Sequence, residues 1–212
     1  MFAKFNTNTA IKILTAILFL FTFGLLVSQR FSMRQELTPL ISDTKNQTGY
    51  QVGNELRRGE TVSTSNGFLQ IVFVDDTNAV LSELWLAQNT SVSLERIFKN
   101  KLLIKLIRGR IVLESDAFPI EVKTNETLHT INGAIASLVN YDFLENVHVA
   151  PISGTVRTYI SQTNEYMMVV SPLSIHEIYP FERSNVDFNF NAGDAKNFYD
   201  WTGALTYSSA IE

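Results

Sequence analysis

Ser32 follows a long apolar run and is a candidate with nucleophile chemistry open to it. Activated by a neutral, desolvated lysine, such a hydroxyl attacks an acyl carbon. The other reactive residues are scattered. His129, His148 and His176 never fall at a spacing that gathers two imidazoles and a third donor, so each is expected as a partly exposed strand or loop residue rather than a metal ligand. Asp75-Asp76 and Glu114-x-Asp116 pair carboxylates in ways that suit calcium or a shared proton. Both lie where strands turn over, so solvated turn residues are expected. Two arginine pairs remain, Arg57-Arg58 and Arg108-x-Arg110, the second flanking Gly109 inside an apolar strand, LIRGRIVL. All four are expected on the surface as contacts for anionic groups. No catalytic residue, cofactor site or metal site is expected.

Composition narrows the partners. A net charge of -4 and a pI near 5.4 argue against nucleic acid, whose binding draws on accumulated Lys and Arg. With no cysteine there is no disulfide, thiolate metal site or catalytic thiol. A chain of 212 residues holds one good core plus an appendage.

Those side chains need elements to hold them. From Ile13 to Val27 no residue is charged, and with Lys12 snorkelling the run extends back to Ala10. That length is close to the hydrocarbon thickness of a bilayer. The exit through Leu25-Leu26-Val27-Ser28-Gln29-Arg30 offers no Ala-x-Ala cleavage pattern, so residues 1–30 are expected to be a short tail and an uncleaved single-pass anchor. Lys4 and Lys12 on one side, against Arg30, Arg34 and Lys45 on the other, leave orientation undecided by charge. A large domain outside the cytoplasm is permitted. Residues 31–49 read as a juxtamembrane stalk, with Met33, Leu37 and Leu40 at helical spacing ahead of a polar linker.

From residue 50 to 170 the pattern alternates. Leu69, Ile71 and Phe73 share one parity, as do Phe118, Ile120 and Val122, which predicts strands with one wet face. Leu102, Ile104 and Leu106 are of one parity and Ile111 and Leu113 of the other. Both sets reach one core only if the strand slips phase between them. Gly109, free of a Cβ, sits at that slip. Its flanking arginines are then expected to point into solvent. Gly59, Gly133 and Gly154 suggest further corners, and TINGAIASLV reads as two strands around a turn. The corners come at irregular intervals. The expected fold is therefore mainly β, a β-helix or solenoid-like β-sandwich, preceded by the transmembrane helix. In the tail, 171–212, a short aromatic helix from Asp194 carries Phe198 and Trp201; it would pack on its own domain or dock a partner.

An ordered set of motifs resembles the FecR family. It runs Gly53-x-x-Leu56-x-x-Gly59-Glu60-x-Val62-x-Thr64, Leu69-x-Ile71-x-Phe73-x-Asp75 and Leu86-x-x-Asn89-Thr90-Ser91-Val92-x-Leu94. It continues with Leu106-Ile107-Arg108-Gly109-Arg110-Ile111, Ile120-x-Val122-x-Thr124 and Ile152-Ser153-Gly154-Thr155-Val156. The chain departs from the family at Asn132-Gly133-Ala134, where Arg-Gly-Thr is usual, and at Asp75-Asp76, usually Asp-Gly. The resemblance implies a bacterial single-pass protein of the cytoplasmic membrane whose β-domain is extracytoplasmic. It would act without catalysis in signal sensing and transduction or in binding an envelope ligand. The short tail ahead of the span leaves no room for the family's folded sigma-regulating arm. Expected partners are the membrane and a protein or anionic envelope ligand, with the oligomeric state open. The alternative is a structural subunit of an envelope assembly. A third reading starts from Ser32-Met33, which is similar to the nucleophile box of bacterial signal peptidases, but the chain has no Pro-Gly-Asp turn to go with it.

Overall fold

A computed structural model describes residues 7–32, 35–116, 118–141, 146–161, 163–170, 174–178, 183–187, 190–191 and 193–204. The chain divides into two compact units, Met1–Gln35 and Glu36–Glu212.

The first unit is helix α1, Thr7–Ser32. Ile13, Leu14, Ile17, Leu18, Phe19 and Leu20 are all exposed on it, so apolar side chains point out on every side rather than along one stripe. Among the described residues no helix is long and apolar enough to cross a membrane. The α1 side chains described are those of residues 12–27, about 24 Å of helix at about 1.5 Å per residue.

The second unit is mainly β. Its first strand, β1, is Thr38–Lys45, where the sequence reading expected a helical stalk. Leu37, Pro39 and Ile41 are buried at every second position, which is strand periodicity. Leu37 and Ile41 also lie four apart, so their spacing alone could not separate the two readings. The strands that follow are β2 Thr61–Ser63, β3 Phe68–Val74, β4 Val80–Leu86, β5 Ser91–Phe98, β6 Lys101–Ser115 and β7 Ile120–Lys123. Then come β8 Thr127–Ile131, β9 Ala134–Tyr141, β10 Asn146–Ser153, β11 Thr155–Ile160, β12 Glu165–Val170, β13 Ser174–Ile178 and β14 Arg183–Asp187.

Strand β6 organises them. Residues Lys101 to Arg108 pair with β5, and Leu102 to Lys105 also pair with β7. From Gly109 to Ser115 the same strand pairs with β9, and from Ile111 it pairs with β4 too. It therefore belongs to two sheets. Sheet I runs β2-β5-β6-β7-β8-β11-β12 and sheet II runs β1-β3-β4-β6-β9-β10-β13-β14. The crease is Gly109, at φ +94, with a register shift beside it between Ser91 and Val92. Leu102, Ile104 and Leu106 before the crease and Ile111 and Leu113 after it enter one core. The phase slip expected from parity is present. The Asn-Gly turn expected within TINGAIASLV separates β8 from β9 at Gly133.

The sandwich was expected, but the pairing is not that of solenoid coils. Every ladder among the described residues is antiparallel except β6 with β7. That exception follows from the crease. The chain leaves β6 in sheet II and must cross back to cover the first half of the same strand.

A second cluster lies on the other face of sheet II. Helix α2, Gly193–Thr202, sets Phe198 and Tyr199 against Phe68, Trp85, Val112 and Ile135. Gly203, at φ +69, follows its last turn. The aromatic helix thus packs on its own domain. The Tyr199 hydroxyl lies 2.6 Å from Ser137 Oγ on β9.

Candidate functional site

Two of the four arginines meet in a groove. Leu56 is buried, and its amide donates to Pro39 O at 2.9 Å. Gly59 N donates to Leu94 O at 2.7 Å and Glu60 N to Arg57 O at 3.0 Å. The Glu60 carboxylate accepts from Arg57 N at 2.8 Å. The turn is thereby pinned to β1 on one side and β5 on the other, and the side chains of Arg57 and Arg58 are exposed. Opposite them, Leu37 N donates to Ile97 O at 2.6 Å, joining the approach to β1 to the end of β5.

The resulting hollow, about 300 Å³, has Leu37, Pro39, Leu56 and Ile97 in its floor and Glu36, Glu55, Arg57 and Arg58 at its rim. Arg58 also lies over the Phe98 ring, 5.5 Å from its centroid, a geometry that holds a guanidinium in place without neutralising it. Thr38 also lines the groove, which holds no imidazole, and no cluster of metal-ligating residues occurs among the described residues. An apolar floor with charged groups of both signs at its rim suits recognition of an amphipathic segment, with the guanidinium pair fixing an anionic group on it.

Arg108 and Arg110 do not reach this groove. Arg108 is exposed at the crease. Arg110 does not project into solvent as expected: it is half-buried, with its guanidinium 5.6 Å from the Tyr199 ring centroid. Its Nε is buried without a hydrogen-bond partner. The residue acts as a lid on the α2 cluster, and the aliphatic stem that lets it do so is not visible in a reading that counts only charge.

The histidines also depart from expectation in one case. His129 is fully buried. Its ring nitrogens lie 2.7 Å from Thr127 Oγ1 and 2.9 Å from Thr158 Oγ1. Burial lowers its pKa to about 3, so it is a neutral core residue held by two hydroxyls. His148 is half-buried on β10. The backbone of His176 pairs in β13, and its side chain lies outside the described residues, as does that of Ser32.

Of the acidic pairs, Asp76 is an exposed turn residue as expected and Asp75 is not. Asp75 Oδ1 accepts from Thr77 Oγ1 at 2.6 Å, Thr77 N at 2.9 Å and Ala79 N at 3.1 Å, while Oδ2 lies 3.2 Å from Lys99 Nζ. The Thr77 hydroxyl leads the causes that bring its carboxyl down from 3.8 to about 2. It organises the β3–β4 turn. Glu114 is half-buried near the end of β6. Burial pushes its carboxyl up, helped by the nearby charges of Asp116 and Glu83.

Neither the family models nor the curated proteins contain a match to this sequence. In fold the chain is similar to a candidate anti-sigma factor from Parabacteroides distasonis, with a TM-score of 0.50 and 16% identity over 68% of this chain. A second structure of such a protein from the same organism superposes at a TM-score of 0.39 and 13% identity over 78% of this chain. The chain spans 64% of the length of each. At these identities the likeness concerns the fold.

Proposed function

We propose that this chain is a membrane-anchored, non-catalytic recognition protein whose FecR-like β-domain lies outside the cytoplasm and serves signal sensing. The observation that carries the reading is the ordered motif set. Its members fall in sequence on β2 with the loop before it, β3, the β4–β5 connection, the crease of β6, β7 and the β10–β11 turn of one domain. The fold likeness to a candidate anti-sigma factor supports a signalling role, and the apolar run from Ile13 to Val27 within α1 supports the anchor. Recognition is assigned to the groove of Arg57 and Arg58, where an apolar floor supplies contact area and the guanidinium pair selects an anionic group.

Protease accessibility tests the placement. The Glu36–Glu212 domain is expected to be cut in spheroplasts by added protease; protection until the membrane is broken overturns the assignment. Formaldehyde crosslinking in cells tests the groove. Arg57→Glu with Arg58→Glu is expected to lose adducts that Arg108→Glu retains, and an unchanged adduct pattern removes the groove from the reading.

A further inference from the structure

Sheet I has one face in the core, and its ladders set the side chains of the other face in rows across the strands. One row runs Lys105, Lys123, Leu128, Tyr159 and Tyr166, from β6 to β12. The next runs Leu103, Glu121, Thr130, Arg157 and Met168. Each row crosses four strand spacings, about 19 Å at about 4.8 Å each, and the two rows lie about 7 Å apart. Lys123 and Arg157 are exposed, as are Tyr166 and Met168.

Positive charge gathers on this face against the trend of the chain, whose net charge is -4. Lys101 opens β6 on the same parity, so the outward positions of β6 before the crease and of β7, β8, β11 and β12 carry Lys101, Lys105, Lys123 and Arg157 against one carboxylate, Glu121. Strand β5 adds Glu95 and Arg96 at its bulge, which offset one another. None of the four cations forms an ion pair with a carboxylate among the described residues. Lys105 and Lys123 are direct partners in the β6–β7 ladder, and like charges set opposite one another destabilise a sheet. A pair that breaks a local rule of the fold marks a place where something other than stability is served.

We infer that the outer face of sheet I binds an acidic polysaccharide, a chain of sugars bearing carboxylates, laid across the strands along these rows. At one end of the track the Lys105 and Lys123 ammonium groups take a carboxylate between them, which removes their mutual repulsion. At the other end the Arg157 guanidinium lies 4.2 Å from the Tyr166 ring centroid, and Tyr159 packs on the same ring at 4.9 Å. That arrangement sets a cation beside an amphipathic surface on which the C–H face of a sugar ring packs. Between the two ends Thr130 and Glu121 offer hydrogen-bond partners to sugar hydroxyls.

Size and chemistry choose among polyanions. Two rows make a strip of about 19 Å by about 14 Å, roughly 270 Å², about a third of the area each partner gives to a standard protein interface. A folded acidic protein finds too little surface there, whereas a thin chain finds enough. Strands β6, β7, β8 and β11 are paired on both sides, so a peptide gains no backbone ladder on this face. Single-stranded nucleic acid binds by stacking bases on successive aromatic faces, but Arg157 already covers one face of Tyr166 and Glu121 repels phosphates in the middle of the track. A polysaccharide meets the same glutamate with hydroxyls. The inference goes beyond the Arg57 groove and does not rest on it.

The experiment uses the full chain in micelles of an uncharged detergent and follows the fluorescence anisotropy of a labelled oligogalacturonate. Anisotropy is expected to rise with protein concentration, to fall back as salt is added, and to stay flat with a labelled oligomer of uncharged dextran. Lys105→Gln with Lys123→Gln is expected to weaken binding by about tenfold or more, and Tyr166→Ala by about two- to tenfold. Lys123→Gln alone, at an exposed position, is expected to weaken binding while its melting temperature holds or rises, because the like-charge pair is relieved; loss of binding through loss of fold would lower both. Arg57→Glu with Arg58→Glu is expected to bind as the wild type does, so a failure of the groove and a failure of this face read out separately. No anisotropy change with the oligogalacturonate overturns the inference. So does equal binding of a labelled single-stranded oligonucleotide, which would make the face a general cation patch, and so does an affinity unmoved by the paired lysine substitutions, which would place the ligand elsewhere.

Discussion

Tyr199 on α2 and Ser137 on β9 share a hydrogen bond 2.6 Å long between two buried hydroxyls that are 62 positions apart in the chain. It pins the helix to sheet II beneath the Arg110 guanidinium, which lies over the same ring. Removing the hydroxyl while keeping the ring isolates it. Tyr199→Phe is expected to cost about 0.5 to 1.5 kcal/mol, and Tyr199→Ala about 3 to 5 kcal/mol, because it also uncovers Arg110 and empties the space against Phe190. Urea denaturation of the two variants separates the figures; a Tyr199→Phe variant as stable as the wild type would show that the hydrogen bond contributes nothing.

Gly109 cannot accept a side chain without movement of the backbone around it. At φ +94, an added Cβ would lie 2.6 Å from Thr90 Cα and 2.9 Å from Asn89 O, both backbone atoms. Gly109→Ala is therefore expected to destabilise by at least about 2 kcal/mol, the backbone cost alone reaching that order. A chemical denaturation midpoint equal to that of the wild type would show that the crease does not need glycine.

His129 makes stability depend on pH. Its folded pKa of about 3 lies below the unfolded value of about 6.5, so between those values the unfolded chain binds a proton that the folded chain refuses. The stability contributed by the neutral ring is complete above about pH 6.5 and falls by about 1.4 kcal/mol per pH unit below it, until pH 3 is reached. His129→Gln is expected to reduce the acid dependence of the unfolding free energy by about one proton over pH 4 to 6. An unchanged slope would mean that the imidazole is protonated in place.

Asp75 acts in a lower window. Its carboxyl is held at about 2, against 3.8 unperturbed, so the stabilisation is present above about pH 4 and is lost as pH falls through 2. Asp75→Asn is expected to lower the melting temperature at pH 7 and to lower it much less at pH 2. A constant difference at both values would assign the effect to turn geometry rather than to charge.

What the chain discloses by itself depends on how local the determinant is. The crease was legible because the parity of Leu106 against Ile111 and the lack of a Cβ at Gly109 lie within six residues. The turn at Gly133 was legible for the same reason. His129 was misjudged because half of its hydrogen bonding comes from Thr158 on β11, and nothing around position 129 announces that strand. Arg110 was misjudged because its cover for Tyr199 depends on a helix that arrives only after residue 193. The groove was half seen. The paired arginines are conspicuous at 57 and 58, but Leu37 and Ile97, which give them a floor, come from a segment read as helix and from the far end of β5.

A single polypeptide strand running through both layers of the sandwich also sets how the domain comes apart. The layers have no separate lives: pulling sheet I away from sheet II requires straightening β6 at Gly109, which drags Leu106 and Ile111 out of the interior together. The two layers should then melt as one, in a single calorimetric transition whose calorimetric and van't Hoff enthalpies agree. Mechanically the domain behaves as a folded card, stiff because of its bend.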